Sequence, residues 1–201
     1  MVNRFDSQAV PPAVRRVATA FRLAGWVSFW AQIVLAVISG FVLAFAAASF
    51  GVPTPPPNTP NAPPTGGANP GAGVGLFLAS LGLLLLFAGA FWAFRYTRLS
   101  RKLKLADAQI RPKRGDAVRE LYLGLGINLV GMLLTILGAQ AIVGSLVAKS
   151  FIQVGGIFTG NLQNFINSRD IFLVQANTNT ILAHFIGVVA TLWLLRSVNR
   201  Q

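Results

Sequence analysis

The sequence lacks the residues on which most enzymes and metal sites depend. It contains no cysteine, one histidine and five acidic residues among 201 positions. The absence of cysteine excludes disulfides, iron–sulfur clusters, thiolate metal sites and cysteine nucleophiles. There is also no glycine-rich phosphate loop, no H-E-x-x-H motif and no pair of carboxylates within an apolar stretch. We therefore expect a protein that is not an enzyme and that carries no cofactor.

Charge is scarce as well, and long apolar stretches take its place. Charged residues make up 11% of the chain, whereas an ordinary soluble domain has about 25%. Because a bilayer core about 30 Å thick is crossed by about 20 apolar helical residues, four stretches qualify as spans. They lie at approximately 23–50, 73–97, 118–148 and 171–195. The sequence predicts a single all-α integral membrane domain over residues 1–201.

Basic residues are concentrated between the second and third spans, which predicts the topology. The segment 95–120 contains Arg95, Arg98, Arg101, Lys102, Lys104, Arg111, Lys113, Arg114 and Arg119. Since positive charge stays on the cytoplasmic side, this loop and both termini are expected inside. The bilayer and its anionic lipids are the expected partners of this charge, and we expect no nucleic acid.

The two loops on the other side differ in composition. Residues 51–72 are mostly Pro, Gly, Asn, Thr and Ala, which predicts a disordered outside loop. Residues 149–170 include Phe151, Ile157 and Phe165 among polar residues. We expect this second loop to be a semi-ordered cap or an interfacial segment.

Small residues recur at a spacing of seven, which returns nearly to the same face of a helix. The glycines of this pattern in the second and third spans are Gly75, Gly82, Gly89, Gly124, Gly131 and Gly138. In lipid, small residues lie where helix backbones approach closely. The pattern predicts an antiparallel four-helix bundle, N-in and C-in, with these glycines at helix contacts.

The fourth span is unusually polar in its first half, and intramembrane polar groups need protein, water or ligand partners. Candidate residues along a transport path are Gln32, Asn128, Gln140, Asp170, Asn177 and His184. Asp170 is expected near the outside mouth, where it would attract a cation. His184 is the candidate metal ligand because imidazole suits iron, zinc or copper. The alternative, which we favour, is that His184 hydrogen-bonds a neighbouring helix.

Several short motifs resemble one known family in order and spacing. They are Gly25–Gln32, Phe91–Ser100, Asn128–Met132, Gly138–Ala141, Leu146–Lys149, Asp170–Thr180, His184–Phe185 and Leu194–Val198. The chain resembles the four-span family of Permease In Chloroplasts, also described as a Tic translocon subunit of the chloroplast inner envelope. The resemblance covers roughly residues 14–198 and suits a cyanobacterial member in the plasma membrane, or alternatively the thylakoid membrane.

The resemblance implies two competing roles. One is an iron permease, with the iron ion as substrate, and the other is a non-transporting translocon subunit or scaffold for membrane proteins. It supplies no ligand residues. Because four helices with short loops rarely enclose a pore, we expect a homo-oligomer or an assembly with other membrane proteins.

Overall fold

The computed structural model describes residues 11–50, 70–105, 112–159, 166 and 168–200, and their regular secondary structure is entirely helical. The helices are α1 (Pro12–Phe50), α2 (Pro70–Leu103), α3 (Arg114–Thr159) and α4 (Ser168–Asn199). Each is long and apolar enough to cross a membrane. The expected all-α class and the four helices of membrane-spanning length are thereby confirmed.

Helix starts follow local sequence signals. Pro12 and Pro70 occupy first helical positions, where a missing N–H costs nothing and the fixed φ suits the helix. Helix α3 begins just after Pro112, and the Asp116 amide donates to the Lys113 carbonyl oxygen at 3.1 Å. Asp116 and Asp170 lie in the first turns of α3 and α4, where the helix dipole favours negative charge.

Helix α3 extends well beyond the predicted span. It continues to Thr159, so residues 149–159 are helical, whereas the sequence predicts a loop from 149. The apolar sequence sustains the helix, and Gly155 and Gly156 each lower helix propensity by only about 1 kcal/mol. Residues 160–165 and 167 of the predicted cap lie outside the described residues, as do residues 51–69 of the predicted disordered loop. Residues 70–72 of that loop belong to α2.

The chain forms two compact units, and each helix contributes one segment to each. The first unit comprises Met1–Val34, Leu85–Gly131 and Leu182–Gln201. Its core joins the beginnings of α1 and α3 to the ends of α2 and α4. Phe21, Leu121 and Leu194 are fully buried there, and the Tyr96 ring meets Phe21 edge-on with 6.3 Å between centroids.

The second unit comprises Leu35–Leu84 and Met132–Ile181. Its core is built from Leu43, Ala46, Ala79, Ile142, Leu173 and Ala176. Half of these side chains are alanine, so the helix backbones approach closely, as expected where lipid removes most of the hydrophobic force between helices.

Candidate functional site

Three polar side chains from three helices meet inside the first unit. Gln32 of α1 and His184 of α4 are 0% exposed, and Asn128 of α3 is 3% exposed. Such groups are expensive within a bilayer unless they find partners. We call these three residues the polar triad.

Direct hydrogen bonds connect the polar triad. The Gln32 side-chain amide donates to Asn128 Oδ1 at 2.8 Å, and His184 Nδ1 lies 3.2 Å from the same oxygen. Asn128 Nδ2 donates to the Gly124 carbonyl oxygen at 2.9 Å. Because Asn128 Oδ1 can only accept, the Nδ1 of His184 carries the proton in this contact.

One acceptor of the polar triad has no hydrogen-bond partner among the described residues, namely Gln32 Oε1. A buried carbonyl oxygen without a partner costs free energy, and it is suited to a water molecule or a cation. This oxygen gives the polar triad one group able to replace part of a cation's hydration shell.

Glycines create the space that the polar triad occupies. A methyl group at Gly131 would collide with the His184 ring, and one at Gly187 would collide with the side chain of Gln32. A methyl group at Gly89 would lie 2.8 Å from Asn128 Oδ1. Sequence reasoning missed Gly187, although its position three residues after His184 places it on the same face of α4.

The second unit buries a different set of polar residues, with Ser39, Thr135, Asn177 and Thr180 each at most 1% exposed. The hydroxyls of Ser39 and Thr180 both donate to the Ala176 carbonyl oxygen, at 3.0 and 2.9 Å. Neither the oxygen nor the nitrogen of the Asn177 amide has a hydrogen-bond partner in the described part of the chain.

The six glycines of the seven-residue pattern are all buried. In the second unit, a methyl group at Gly138 would lie 2.9 Å from the Ala79 amide nitrogen and 3.0 Å from the Gly75 carbonyl oxygen. In the first unit, one at Gly124 would collide with the Tyr96 hydroxyl. Glycine at these three positions therefore permits close approach between helices.

Two predicted path residues are placed differently from expectation. Gln140 is exposed, because it follows the buried Gly138 by two residues and so points about 200° away around α3. Asp170 does lie near a helix end, but Lys149 Nζ binds both of its carboxylate oxygens, at 3.0 and 2.9 Å. Since this ammonium already neutralises the carboxylate, Asp170 is a poor attractant for a free cation.

No group of three or more His, Cys, Asp or Glu able to hold a metal ion occurs within the described residues. The donors that the structure offers are amide oxygens and one imidazole. Such a set is suited to weak, transient contacts with a partly hydrated cation, as permeation requires.

Comparisons with known proteins agree with one another. The model of the family described as "Protein of unknown function (DUF3611)" matches residues 11–199. The chain is 34% identical over 202 residues to "Protein TIC 21, chloroplastic" of Arabidopsis thaliana. This match covers 98% of the chain and 62% of that relative's length. No solved structure matches the chain.

Proposed function

The chain belongs to the DUF3611 family and is a relative of the chloroplast protein TIC 21, and from this premise we propose that it is a membrane transport protein for iron that acts as an oligomer. The membership confirms the family resemblance that the sequence motifs indicate. The chain covers 62% of its chloroplast relative, so the activity is argued from the residues that the two units bury.

The observation that carries the proposal is the burial of the polar triad within membrane-spanning helices. Gln32 and His184 are 0% exposed, and the Gln32 Oε1 atom lacks a partner among the described residues. Intramembrane polar groups of this kind mark substrate pathways in transport proteins. We infer that iron passes the polar triad in the first unit and Asn177 in the second.

We further propose that the helices run antiparallel with both termini in the cytoplasm. All lysines and arginines lie in the first unit except Lys149 and Arg169. Positive charge next to spans stays inside, so the first unit contains the cytoplasmic helix ends. In this orientation, a cysteine replacing Ala62 reacts with a membrane-impermeant reagent from outside; labelling only from the cytoplasmic side contradicts the topology.

Exposed amides support the oligomer. Gln140 and Gln175 are exposed and Asn179 is half-buried, and Gln175 Nε2 donates to Asn179 Oδ1 at 3.0 Å. Because amides facing lipid are unfavourable and readily join helices, we propose that this surface contacts another copy of the chain. Gln140→Leu combined with Gln175→Leu should then shift the protein toward monomers in cross-linking experiments.

The test of transport is uptake of labelled ferrous iron by sealed liposomes that contain the purified protein. We expect uptake above that of protein-free liposomes, and we expect His184→Ala to lower the initial rate by about tenfold if one ligand worth about 1.4 kcal/mol is lost. Ser197→Ala is the matched control, because it removes a hydroxyl of the same helix that donates to the Trp193 carbonyl oxygen and lies outside the proposed contact with another copy. Absence of uptake by correctly oriented wild-type oligomers rejects the permease.

The alternative is a non-transporting translocon subunit or scaffold. The hydrogen bonds that join Gln32, Asn128 and His184 support this alternative, because such bonds also suit a purely structural contact between helices. A scaffold predicts no iron uptake and a loss of partner proteins when its outer surface changes. Gly144 has open space around it, so Gly144→Leu tests that surface without disturbing contacts within the chain.

A further inference from the structure

A cavity of about 310 Å³ in the first unit combines basic, hydroxyl and aromatic side chains from α1 and α2. Its lining includes Arg22, Trp26, Ser100, Arg101 and Lys104. Residues 22 and 26 are one helical turn apart, residues 97, 100 and 101 share one face of α2, and Lys104 directly follows the end of α2 at Leu103. The cavity is therefore a continuous feature of two facing helix surfaces.

Close contact between these helices fixes the cavity. A methyl group at Gly25 would lie 2.9 Å from the Ala93 carbonyl oxygen and 3.1 Å from the Thr97 amide nitrogen. Because α1 and α2 touch backbone to backbone at Gly25, Arg22 is held beside the end of α2. The position of Arg22 next to α2 is therefore set by backbone packing and not by flexible side chains alone.

The electrostatics of the cavity favour an anion. Three cations line it, Arg22, Arg101 and Lys104, and no carboxylate is among the described residues of its lining. Among the described residues, neither ion pair in the structure involves these three cations. A second cavity of the same unit is lined by three cations as well, Arg95, Arg98 and Lys102, but it also contains Glu120, which pairs with Arg95 at 2.5 Å. The first cavity thus has the larger uncompensated positive charge.

The position of the cavity along the helices indicates which anion it binds. Residues 23–50 of α1 and 73–94 of α2 contain no charged residue, so Arg22 and Arg95 mark the ends of the apolar segments. Trp26 and Phe94 line the apolar side of the cavity, and Arg101 and Lys104 line the charged side. Aromatic side chains beside cations are typical of the headgroup level of a bilayer.

We propose that this cavity is a binding site for the phosphodiester headgroup of an anionic phospholipid. Arg22 and Arg101 can each donate two parallel hydrogen bonds to phosphate oxygens, and Lys104 adds a point charge. The Ser100 hydroxyl is a further donor, while Trp26 contacts the glycerol and upper acyl region. The site is formed by residues outside the polar triad, so it stands independently of transport.

The test is native mass spectrometry of the full-length protein in detergent, titrated with dioleoylphosphatidylglycerol or dioleoylphosphatidylcholine. We expect preferential retention of phosphatidylglycerol. Each cation near an anionic surface contributes about a fivefold gain in affinity. Replacement of Arg22, Arg101 and Lys104 by Gln should thus weaken phosphatidylglycerol binding on the order of a hundredfold.

The matched control replaces Arg15, Arg16 and Arg119 by Gln, since these arginines are exposed and do not line the cavity. This control variant removes the same number of positive charges and should retain most of the affinity for phosphatidylglycerol. An equal loss in both triple variants overturns the proposal in favour of general charge attraction. Binding of inorganic phosphate as tightly as phosphatidylglycerol also overturns it, because the ligand would then be free phosphate.

Single variants keep the test decisive if the cavity triple variant does not fold. Arg22→Gln and Lys104→Gln should each weaken phosphatidylglycerol binding about fivefold, whereas Lys104→Arg should retain it. Unchanged affinity in both Gln variants rejects the site.

Discussion

Glycines with the same seven-residue spacing have different neighbours in the two units. In the first unit, methyl groups at Gly131 and Gly89 would collide with polar side chains, those of His184 and Asn128. In the second unit, a methyl group at Gly138 would meet the backbone of Ala79 and Gly75. The comparison teaches that one sequence pattern serves two purposes, space for polar groups in the first unit and close helix contact in the second.

The buried amides differ between the units in a corresponding way. Asn128 of the first unit accepts from Gln32 and contacts His184 through the same oxygen. Asn177 of the second unit is 1% exposed, yet its amide has no hydrogen-bond partner among the described residues. The first amide therefore stabilises the fold, and the second contributes polarity without a structural bond.

The largest expected effect is at the backbone contact of the second unit. Gly138→Ala should destabilise the protein by about 1–3 kcal/mol, because the added methyl group forces two backbones apart. Unfolding in micelles, followed by tryptophan fluorescence during a denaturant titration, measures this change. Gly144→Ala is the control, since no atom lies within 4 Å of its added methyl group. Equal stability of the two variants contradicts the assignment of Gly138 to a helix contact.

The two buried asparagines should respond in opposite directions. Asn128→Leu leaves Gln32 and His184 without their shared acceptor, at an expected cost of about 1–2 kcal/mol. Asn177→Leu should be neutral or stabilising, because it removes a buried polar group that has no bond to lose. The same denaturant titration measures both variants. A larger loss of stability in Asn177→Leu than in Asn128→Leu would contradict the proposed difference between the two asparagines.

Ion pairs provide a smaller contrast. In the Lys149–Asp170 pair of the second unit, the side chains are 25% and 14% exposed. In the Arg95–Glu120 pair of the first unit, they are 42% and 27% exposed. Because exposed pairs contribute only about 0–1 kcal/mol, double-mutant cycles should give a coupling energy below 1 kcal/mol for Arg95–Glu120 and a larger one for Lys149–Asp170. The reverse order of coupling energies would show that burial does not determine the strength of these ion pairs.

Sequence periodicity predicts which positions are buried better than it predicts their partners. The same spacing of seven relates Gln32 to Gly25 and His184 to Asn177, and Gln32, Asn177 and His184 are all buried. Gln140 is two residues out of phase with Gly138 and is exposed. The bonds of Asn128 to Gln32 and His184 depend on how three helices are rotated about their axes, and a pattern within one helix contains no information on that rotation.

The length of α3 and the ion pair of Lys149 could likewise not be predicted from single segments of the sequence. Helix α3 continues past Lys149 to Thr159 because one basic residue does not end a helix whose following residues remain apolar. Lys149 instead binds Asp170, which lies 21 residues further along the chain. This pairing was missed because the partner comes from another helix, and the attraction of a cation by Asp170 stays a prediction.

The central proposal is that iron passes buried polar residues of the membrane-spanning helices, and Asn177 tests it most directly. Asn177→Leu removes an amide that makes no hydrogen bond among the described residues, so any loss of function does not arise from unfolding. In uptake of labelled iron by liposomes, we expect the initial rate to fall about tenfold if the amide is worth about 1.4 kcal/mol to the passing cation. Ser197→Leu, at a half-buried position of the same helix outside the proposed contact with another copy, should retain the wild-type rate. Unchanged uptake in Asn177→Leu, or an equal loss in both variants, contradicts the path.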